Sequence, residues 1–446
     1  MKFKFEHLAG RRVAVWGIGV EGLATLEALP VTAEVSILSD SPDDPNTCAI
    51  ASRYGIQVRT PLEALSDNVP QIVVRSPGVS MRRHEIKALN DVGVVVTTLM
   101  ELWIPFAPAG CVIGITGTKG KSTTTKLVAE LIAASGRSVQ IAGNMGIPVT
   151  NVESCDFAVV EVSSYQAAGI QISPHIGAIT NLDVDHLPWH GSIDQYHRDK
   201  LQLFCNSGLE RLVVPPWAES RVRELLPSLE FSAFQFEVGK VSELSRNGKL
   251  LADLRGTVLE PAHMVRNLAV ACAVAEDALG SQLYAELVKE VVTEFSLPTG
   301  RLEVIPSQDA FTWVNDPLAS NPFAASAAVL TYAAKPIVII LGGEDRGVDP
   351  TPVIDAINIH GRVRAVILLG PVGVVWESTI VNKTGLRAFQ VETLELAVEV
   401  AAGQALPGDV ILFSPAAPTP RLEGNWETRL TRFRESVQGL NQTFEI

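Results

Sequence analysis

Cysteine is scarce and unpatterned. The chain of 446 residues carries five (Cys48, Cys111, Cys155, Cys205 and Cys272), an odd number without a recurring spacing. A disulfide framework and a zinc-ligand spacing are both missing, which fits a reducing compartment. No apolar run is long enough to span a bilayer, and the charged opening Met1-Lys-Phe-Lys-Phe-Glu-His7 lacks the apolar core of a signal peptide. A soluble cytoplasmic protein without a membrane partner is expected. Positive charge is also in deficit: 36 Lys and Arg stand against 49 Asp and Glu, a net charge of −13. That balance argues against a general nucleic-acid binder, but it leaves room for an anionic ligand in a local pocket. Charged residues make up only 19% and apolar residues 47%, so the chain is globular and not disordered. No short-period repeat or low-complexity tract is visible. The length exceeds one usual core, and two to four domains are expected.

What is present centres on Gly117-Thr-Lys-Gly-Lys-Ser-Thr123. The small and apolar run Cys111 to Ile115 before it reads as a buried strand. A helical pattern follows from Lys126 to Ser135, with Leu127, Val128, Leu131 and Ile132 on one stripe and Gly136 as its stop. Strand, glycine turn, Lys-Ser and helix describe a phosphate cradle, because backbone N–H groups at a helix N-terminus favour an anion. Lys121 would reach the terminal phosphates, and Ser122 would offer a hydroxyl to Mg²⁺. The usual pattern has a glycine where Ile115 stands, so this is a variant loop. The bland alternative is an ordinary glycine turn between a strand and a helix.

Upstream, Arg12 to Trp16 is a strand candidate feeding Gly17-Ile-Gly19-Val-Glu-Gly22 and a helix through Leu29. Val35 to Asp40 is a second strand ending in an acid. Alone this is a dinucleotide fingerprint, with Asp40 placed for a ribose hydroxyl. The same unit can hold any nucleotide diphosphate, so an NAD-dependent oxidoreductase is one alternative. Gln71 to Val74 and Val94 to Thr97 continue the strand–helix alternation. Arg75-Ser-Pro-Gly-Val79 lies between them as a strand-end turn. A first domain is expected to close near residues 105–108.

Downstream, Phe157 to Val160 and Ile176 to Thr180 read as strands followed by Glu161 and by Asp185-His186. An acid at a strand end beside a phosphate loop suits a Mg²⁺ handle. Glu161 could equally cap a helix, and His186 and His190 could be plain loop histidines. A helix carries Tyr196, His197 and Lys200. Residues 212–254 alternate weakly and look β-rich, and an apolar helix from His263 to Leu279 has Asn267 as its polar member. A Pro/Gly break near Leu297 to Glu303 marks a boundary. A third, mostly parallel α/β unit follows, with strands at Phe311 to Asp316, Ile337 to Ile340, Ala365 to Leu369 and Val410 to Phe413. Helices are expected at Asn321 to Tyr332 and Leu394 to Ala405.

With these motifs in order, the chain resembles the Mur ligase family, ATP-dependent amide-forming enzymes of peptidoglycan precursor synthesis. Within it the likeness is to the branch that joins glutamate to UDP-N-acetylmuramoyl-L-alanine. The resemblance covers nearly the whole length. It rests on Gly17 to Gly22, Ser76-Pro-Gly78, Gly117 to Thr123, Gly143-Asn144, Glu161 to Gln166, Asp185-His186, Tyr196 to Lys200, Asn267, Arg301, Asn315-Asp316, Gly342-Gly343 and Ser414 to Ala416. It implies an α/β protein of three domains: a Rossmann-like UDP-binding domain over 1–107, a central P-loop ATP domain with a parallel sheet over 108–300, and a Rossmann-like closure domain that brings the amino acid over 301–446. A phosphate loop downstream of the first glycine motif argues for UDP and against NAD.

The resemblance also implies roles. Val20, Glu21, Asp40 and Gly78 would line the UDP site, with Asn144 reaching it from the second domain and Ser163 near the acceptor. Gly117, Thr118, Lys119, Gly120, Lys121, Ser122 and Thr123 would hold ATP. Ser122, Glu161, His186 and Lys200 would serve two Mg²⁺ ions, with Lys200 carried as a carbamate. Asn267, Arg301 and Asp316 would contact adenine, phosphate and ribose. The D-glutamate branch carries a lysine where Leu318 stands, and threonine at Ser320; Arg346 could grip the amino-acid carboxylate instead. Thr419, Arg421 and Trp426 are expected in a C-terminal loop completing that pocket. D-glutamate is expected from family frequency, with L-glutamate as the alternative, and the protein is expected to be a monomer.

Overall fold

The computed structural model describes residues 3–185, 187–239, 242–345, 347 and 349–443. It divides into two compact units, Met1–Phe295 and Ser296–Ile446.

The first unit contains two five-stranded parallel sheets. One is made of β1 (Arg12–Trp16), β2 (Glu34–Leu38), β3 (Gln57–Arg59), β4 (Ile72–Arg75) and β5 (Val95–Thr98), in the order β3-β2-β1-β4-β5. The other is made of β6 (Ala109–Thr116), β7 (Val139–Gly143), β8 (Cys155–Glu161), β9 (Ile176–Ile179) and β10 (Arg211–Val213), in the order β10-β9-β6-β8-β7. The apolar runs that mark these strands are short and nearly continuous because a parallel sheet is covered on both faces. Val112, Ile113 and Ile115 of β6 are buried accordingly. The helix behind β6 runs Lys121–Ala134 and turns Leu127, Val128, Leu131 and Ile132 into the core. It begins five residues earlier than its apolar stripe suggests, because the first turn, Lys121-Ser-Thr-Thr-Thr125, is polar and carries no hydrophobic period.

The stretch expected to be β-rich over 212–254 is only partly so. After β10 comes a helix, Pro216–Leu225, and then a small antiparallel sheet of β11 (Phe236–Val238), β12 (Glu243–Arg246) and β13 (Lys249–Asp253). Ala218, Val222 and Leu225 supply a one-sided buried stripe, and Pro216 sits at the helix start, where its missing N–H costs nothing. The helix Ala262–Leu279 follows.

The second unit is a six-stranded sheet of β14 (Glu303–Ile305), β15 (Thr312–Asn315), β16 (Ile337–Gly342), β17 (Val363–Leu369), β18 (Arg387–Val391) and β19 (Val410–Phe413), in the order β14-β15-β19-β16-β17-β18. Only the β14–β15 pairing is antiparallel. Trp426, expected in a loop, opens a helix that runs Trp426–Thr443. Phe433 and Val437 on that helix are buried against the sheet, so an apolar face recurring every helical turn overrides the loop reading. The fold class is α/β, as the sequence indicates, with parallel pairing in the three large sheets except for the β14–β15 edge, and antiparallel pairing in the small β11–β13 sheet.

Candidate functional site

In an open parallel sheet the strands' C-terminal ends deliver side chains to a common edge. In the second sheet, Thr116 ends β6, Glu161 ends β8 and Ile179 ends β9, and the Gly117–Gly120 turn lies at that edge. The turn is held tightly. Thr118 N and Lys119 N both donate to Asn181 Oδ1, at 3.0 and 2.9 Å. Thr118 Oγ1 donates to Asp183 O at 3.1 Å and receives Tyr196 OH at 3.3 Å. Gly120 takes a left-handed φ of 79°, and a Cβ there would fall inside the Asn267 carboxamide. The first intrahelical bond runs from Thr124 N to Gly120 O at 2.8 Å, so the amides of Ser122 and Thr123 precede the helix's own ladder. The amides that could face an anion are therefore those at the start of the helix. The amides of Thr118 and Lys119 are committed to Asn181.

Two lysine side-chain nitrogens converge on one carbonyl. Lys121 Nζ donates to Gly117 O and Thr118 O, both at 3.1 Å, and Lys200 Nζ donates to Gly117 O at 2.8 Å. Lys200 is buried, and its Nζ lies 4.6 Å from the centroid of the Tyr196 ring. Burial pushes its pKa well below the ordinary lysine value, and the nearby Lys121 charge pushes the same way; Asp185 and Glu161 only partly oppose this. Lys119 Nζ pairs with Asp185 at 3.2 Å.

Glu161 is buried at the end of β8. Its Oε1 accepts Asn144 Nδ2 at 2.8 Å, and its Oε2 is buried with no hydrogen-bond partner among the described residues. A buried carboxylate oxygen left without a donor is costly unless a cation takes it. The donor set at this edge, a carboxylate oxygen with the Ser122 hydroxyl on the neighbouring helix, has the hard-oxygen chemistry that suits Mg²⁺. Among the described residues no three His, Cys, Asp or Glu side chains converge as a ready-made metal cage. Asn144, expected to reach toward the first domain, is turned onto Glu161. Ser163 caps the short helix Ser164–Ala167 and forms a reciprocal capping box with Gln166. His186 and Arg346 lie outside the described residues.

At the first sheet, Gly17 follows β1 and its carbonyl accepts Ser76 Oγ at 2.8 Å. Val20 is exposed at the start of the helix Val20–Ala28. Glu21 turns inward, where Gln166 Nε2 donates to it, and burial pushes its carboxyl pKa up. Gly78 O accepts Trp189 Nε1 at 3.4 Å. Asp40 is held by Arg83 in a bidentate pair, at 2.6 and 2.9 Å.

In the second unit, Asp316 is buried. It accepts Ser414 Oγ at 2.9 Å and the amide of Leu302 at 3.3 Å. Arg301 Nη1 donates to Leu318 O at 3.4 Å. A Cβ on Gly300 would meet Trp426 Cζ3 at 2.8 Å and Leu318 Cδ1 at 3.3 Å. Thr419 is half-buried beyond the end of β19.

Sequence reasoning missed a second buried network. His190 Nδ1 lies 2.6 Å from Asp199 Oδ2, and its Nε2 lies 3.0 Å from Ser164 Oγ. Arg82 Nη2 donates to both Asp199 oxygens, at 2.9 and 2.7 Å, and Gln195 Nε2 adds a bond at 2.9 Å. Burial alone would raise the Asp199 carboxyl, but the bonds from His190, Arg82 and Gln195 outweigh it and hold the pKa below its ordinary value. The network ties the turn after β4 to the helix Ile193–Leu201, which carries Lys200. The sequence offers His190 as a loop histidine, and Ser164 and Asp199 only as members of the motifs Glu161 to Gln166 and Tyr196 to Lys200, with nothing to say that the three meet.

The comparisons with known proteins agree with this architecture. Residues 115–260 match the Mur ligase middle domain, and residues 300–417 match the Mur ligase glutamate ligase domain. A UDP-N-acetylmuramoyl-L-alanine–L-glutamate ligase of a Micromonospora species is 32% identical, with 98% of each chain covered. A UDP-N-acetylmuramoylalanine–D-glutamate ligase of Desulfitobacterium hafniense is 30% identical over 97% of this chain and 98% of that one. Among solved structures, the UDP-N-acetylmuramate-alanine ligase of Thermotoga maritima superposes with a TM-score of 0.61 at 20% identity, covering 96% of this chain and 99% of that one. The MurF ligase of the same organism, in complex with ADP, gives 0.56 at 14% identity, covering 98% and 97%. With a relative of this identity matched along almost its whole length, the chain belongs to the Mur ligase family.

Proposed function

We propose that this protein is an ATP-dependent ligase that joins glutamate to the lactyl-alanine carboxylate of UDP-N-acetylmuramoyl-L-alanine in peptidoglycan precursor synthesis. The observation that carries the reading is the convergence of Lys121 and Lys200 on the Gly117 carbonyl, with the charge of Glu161 acting on Lys200. The names of the relatives support the substrates, and the ADP bound to the Thermotoga neighbour supports the nucleotide. The division into 1–107, 108–300 and 301–446 is part of the same reading.

A carboxylate is a poor electrophile at neutral pH, so one of its oxygens has to become a leaving group. In the proposed reaction a carboxylate oxygen of the acceptor attacks the γ-phosphorus of ATP, and ADP departs. The amine of glutamate then attacks the acyl phosphate carbon and expels inorganic phosphate, leaving an amide and releasing a proton. Several anions must approach one another, and fixed cations in a dry site offset that repulsion. Lys121 swings from its own loop carbonyls to the phosphates. Glu161 Oε2 and the Ser122 hydroxyl would hold Mg²⁺, with His186 assigned to a second ion; when bound, the metal neutralises phosphate charge. Lys200, its ammonium disfavoured by burial, is suited to attack CO₂ through its neutral nitrogen and lose a proton, becoming an anionic carbamate. Asn267, Arg301 and Asp316 are assigned to the nucleotide, and Val20, Glu21, Asp40, Gly78, Asn144 and Ser163 to the acceptor. Arg346, Thr419 and Trp426 are assigned to glutamate.

D-glutamate is the first reading, from the frequency of that activity in the family. L-glutamate is a second reading favoured by two observations: the likeness to the Micromonospora enzyme, and Leu318, beside Gly300 with Trp426, in place of a lysine. The test is phosphate release from ATP with UDP-N-acetylmuramoyl-L-alanine and each enantiomer separately. Release with neither sinks the ligase reading, and faster release with L-glutamate overturns the first choice of enantiomer.

A further inference from the structure

Two adjacent arginines follow the Ser76-Pro77-Gly78 turn and leave it in opposite directions. Arg82 goes to Asp199. Arg83 turns back over the first sheet, where its guanidinium carbon lies 4.9 Å from the centroid of the Trp16 ring. Nη1 and Nη2 donate to Asp40 Oδ2 and Oδ1 at 2.6 and 2.9 Å. Nε and Nη2 donate to Glu85 Oε2 and Oε1 at 3.1 and 2.7 Å. The guanidinium is thus fixed on three sides, by a ring beneath it and a carboxylate along each of two edges.

The two carboxylates are not equivalent. The Glu85 side chain is 10% exposed and the Asp40 side chain 53%. Glu85 sits in the first turn of the helix His84–Asp91, two residues on, and its carboxyl is held down to about 2, chiefly by the bond from Arg83. Its grip belongs to the fold. The Asp40 grip lies at the solvent edge and can be exchanged. If a ligand N–H or hydroxyl takes Asp40, Arg83 keeps Glu85 and Trp16 and stays flat.

The position matters as much as the geometry. Trp16 ends β1 and Asp40 follows β2. The order β3-β2-β1-β4-β5 reverses direction between β1 and β4, and the crevice beyond that reversal is where open α/β sheets bind ligands. Arg83 lies over one wall of that crevice with its side chain 29% exposed.

We propose that Arg83 is a specificity-determining residue of this crevice, a planar cationic platform on which the base of a uridine diphosphate stacks while Asp40 binds the nucleotide's polar edge. The identity of the nucleotide rests on the ligase reading; the platform rests on Trp16, Glu85 and Asp40. A guanidinium backed by an indole offers a flat face and a charge together, and lysine at this place keeps only the charge.

The test is calorimetric titration of the full-length protein with UDP, and with 5,6-dihydro-UDP, whose base is puckered. The wild-type protein should prefer UDP. R83A should bind UDP about tenfold or more weakly and lose the preference, and its KM for the UDP-linked acceptor should rise while its KM for ATP stays put. R83K should recover little of the preference, and it serves as the readout if R83A fails to fold. R83A or R83K binding UDP as tightly as wild type, or more tightly because Arg83 merely latches Asp40, overturns the proposal. A wild-type protein that releases phosphate but shows no preference between the two nucleotides also overturns it. A wild-type protein that releases phosphate with the acceptor but binds no UDP overturns this proposal and leaves the ligase reading standing, and one that does neither overturns both.

Discussion

Lys200 Nζ donates to the carbonyl of Gly117 at 2.8 Å, across 83 positions of sequence. A buried lysine therefore touches the loop that would hold phosphate, and it does so from a separate helix. Lys121 shares the same acceptor. Neither side chain is placed for an ordinary surface role: Lys121 lies in the first turn after the loop, and the buried Lys200 is held away from its charged form.

The first prediction follows from that contact. Lys200→Ala should lower phosphate release by about 100-fold or more, because a metal-facing anion would be lost. Millimolar formate or acetate should restore part of it by standing in for the carbamate. Full activity in the variant would refute the carbamate role, and a fold check by circular dichroism separates inactivity from unfolding.

Glu161→Gln tests the unpartnered oxygen. The change keeps the shape and the bond from Asn144 but removes a buried charge. Activity at fixed ATP should fall sharply and demand more Mg²⁺, whereas the melting temperature should not drop. A variant with normal Mg²⁺ dependence would remove Glu161 from the metal site.

Gly120 and Asn267 should be coupled. Gly120→Ala forces a side chain into a left-handed conformation and into the Asn267 carboxamide, a combined cost of about 2–4 kcal/mol. Asn267→Ala removes the collision. The double variant should therefore lose less stability in urea than the two single losses added together, and strict additivity would show that the two groups do not meet.

Glu21 gives a pH signature. Burial raises its folded pKa above the unfolded value, so the stability it contributes is present below the ordinary carboxyl pKa and lost as pH rises through the folded one. Glu21→Gln should leave stability unchanged in acid and raise it progressively above the ordinary glutamate value near 4.5. Urea midpoints for both proteins across pH 4 to 8 check this; a difference that shrinks with rising pH reverses the assignment.

Much of this protein was written along the chain. The continuous apolar runs of parallel strands, the stripe Leu127, Val128, Leu131 and Ile132, and the Gly-Lys-Ser turn are local patterns, and each physical reason acts over a few residues. The family was legible for the same reason, as an ordered set of short motifs. Two local readings failed where the pattern was mixed: the helix Pro216–Leu225 was hidden in weak alternation, and Trp426 opened a helix where a loop was expected. What only the tertiary structure decided is which polar groups meet. Asn181 takes the loop amides, Asn144 turns onto Glu161, and Arg82 reaches Asp199 across 117 positions. Buried hydrogen bonds have no period in sequence. They are chosen by which strand ends lie side by side and by the cost of leaving a buried polar atom unmatched, so they exist only once the sheets have formed.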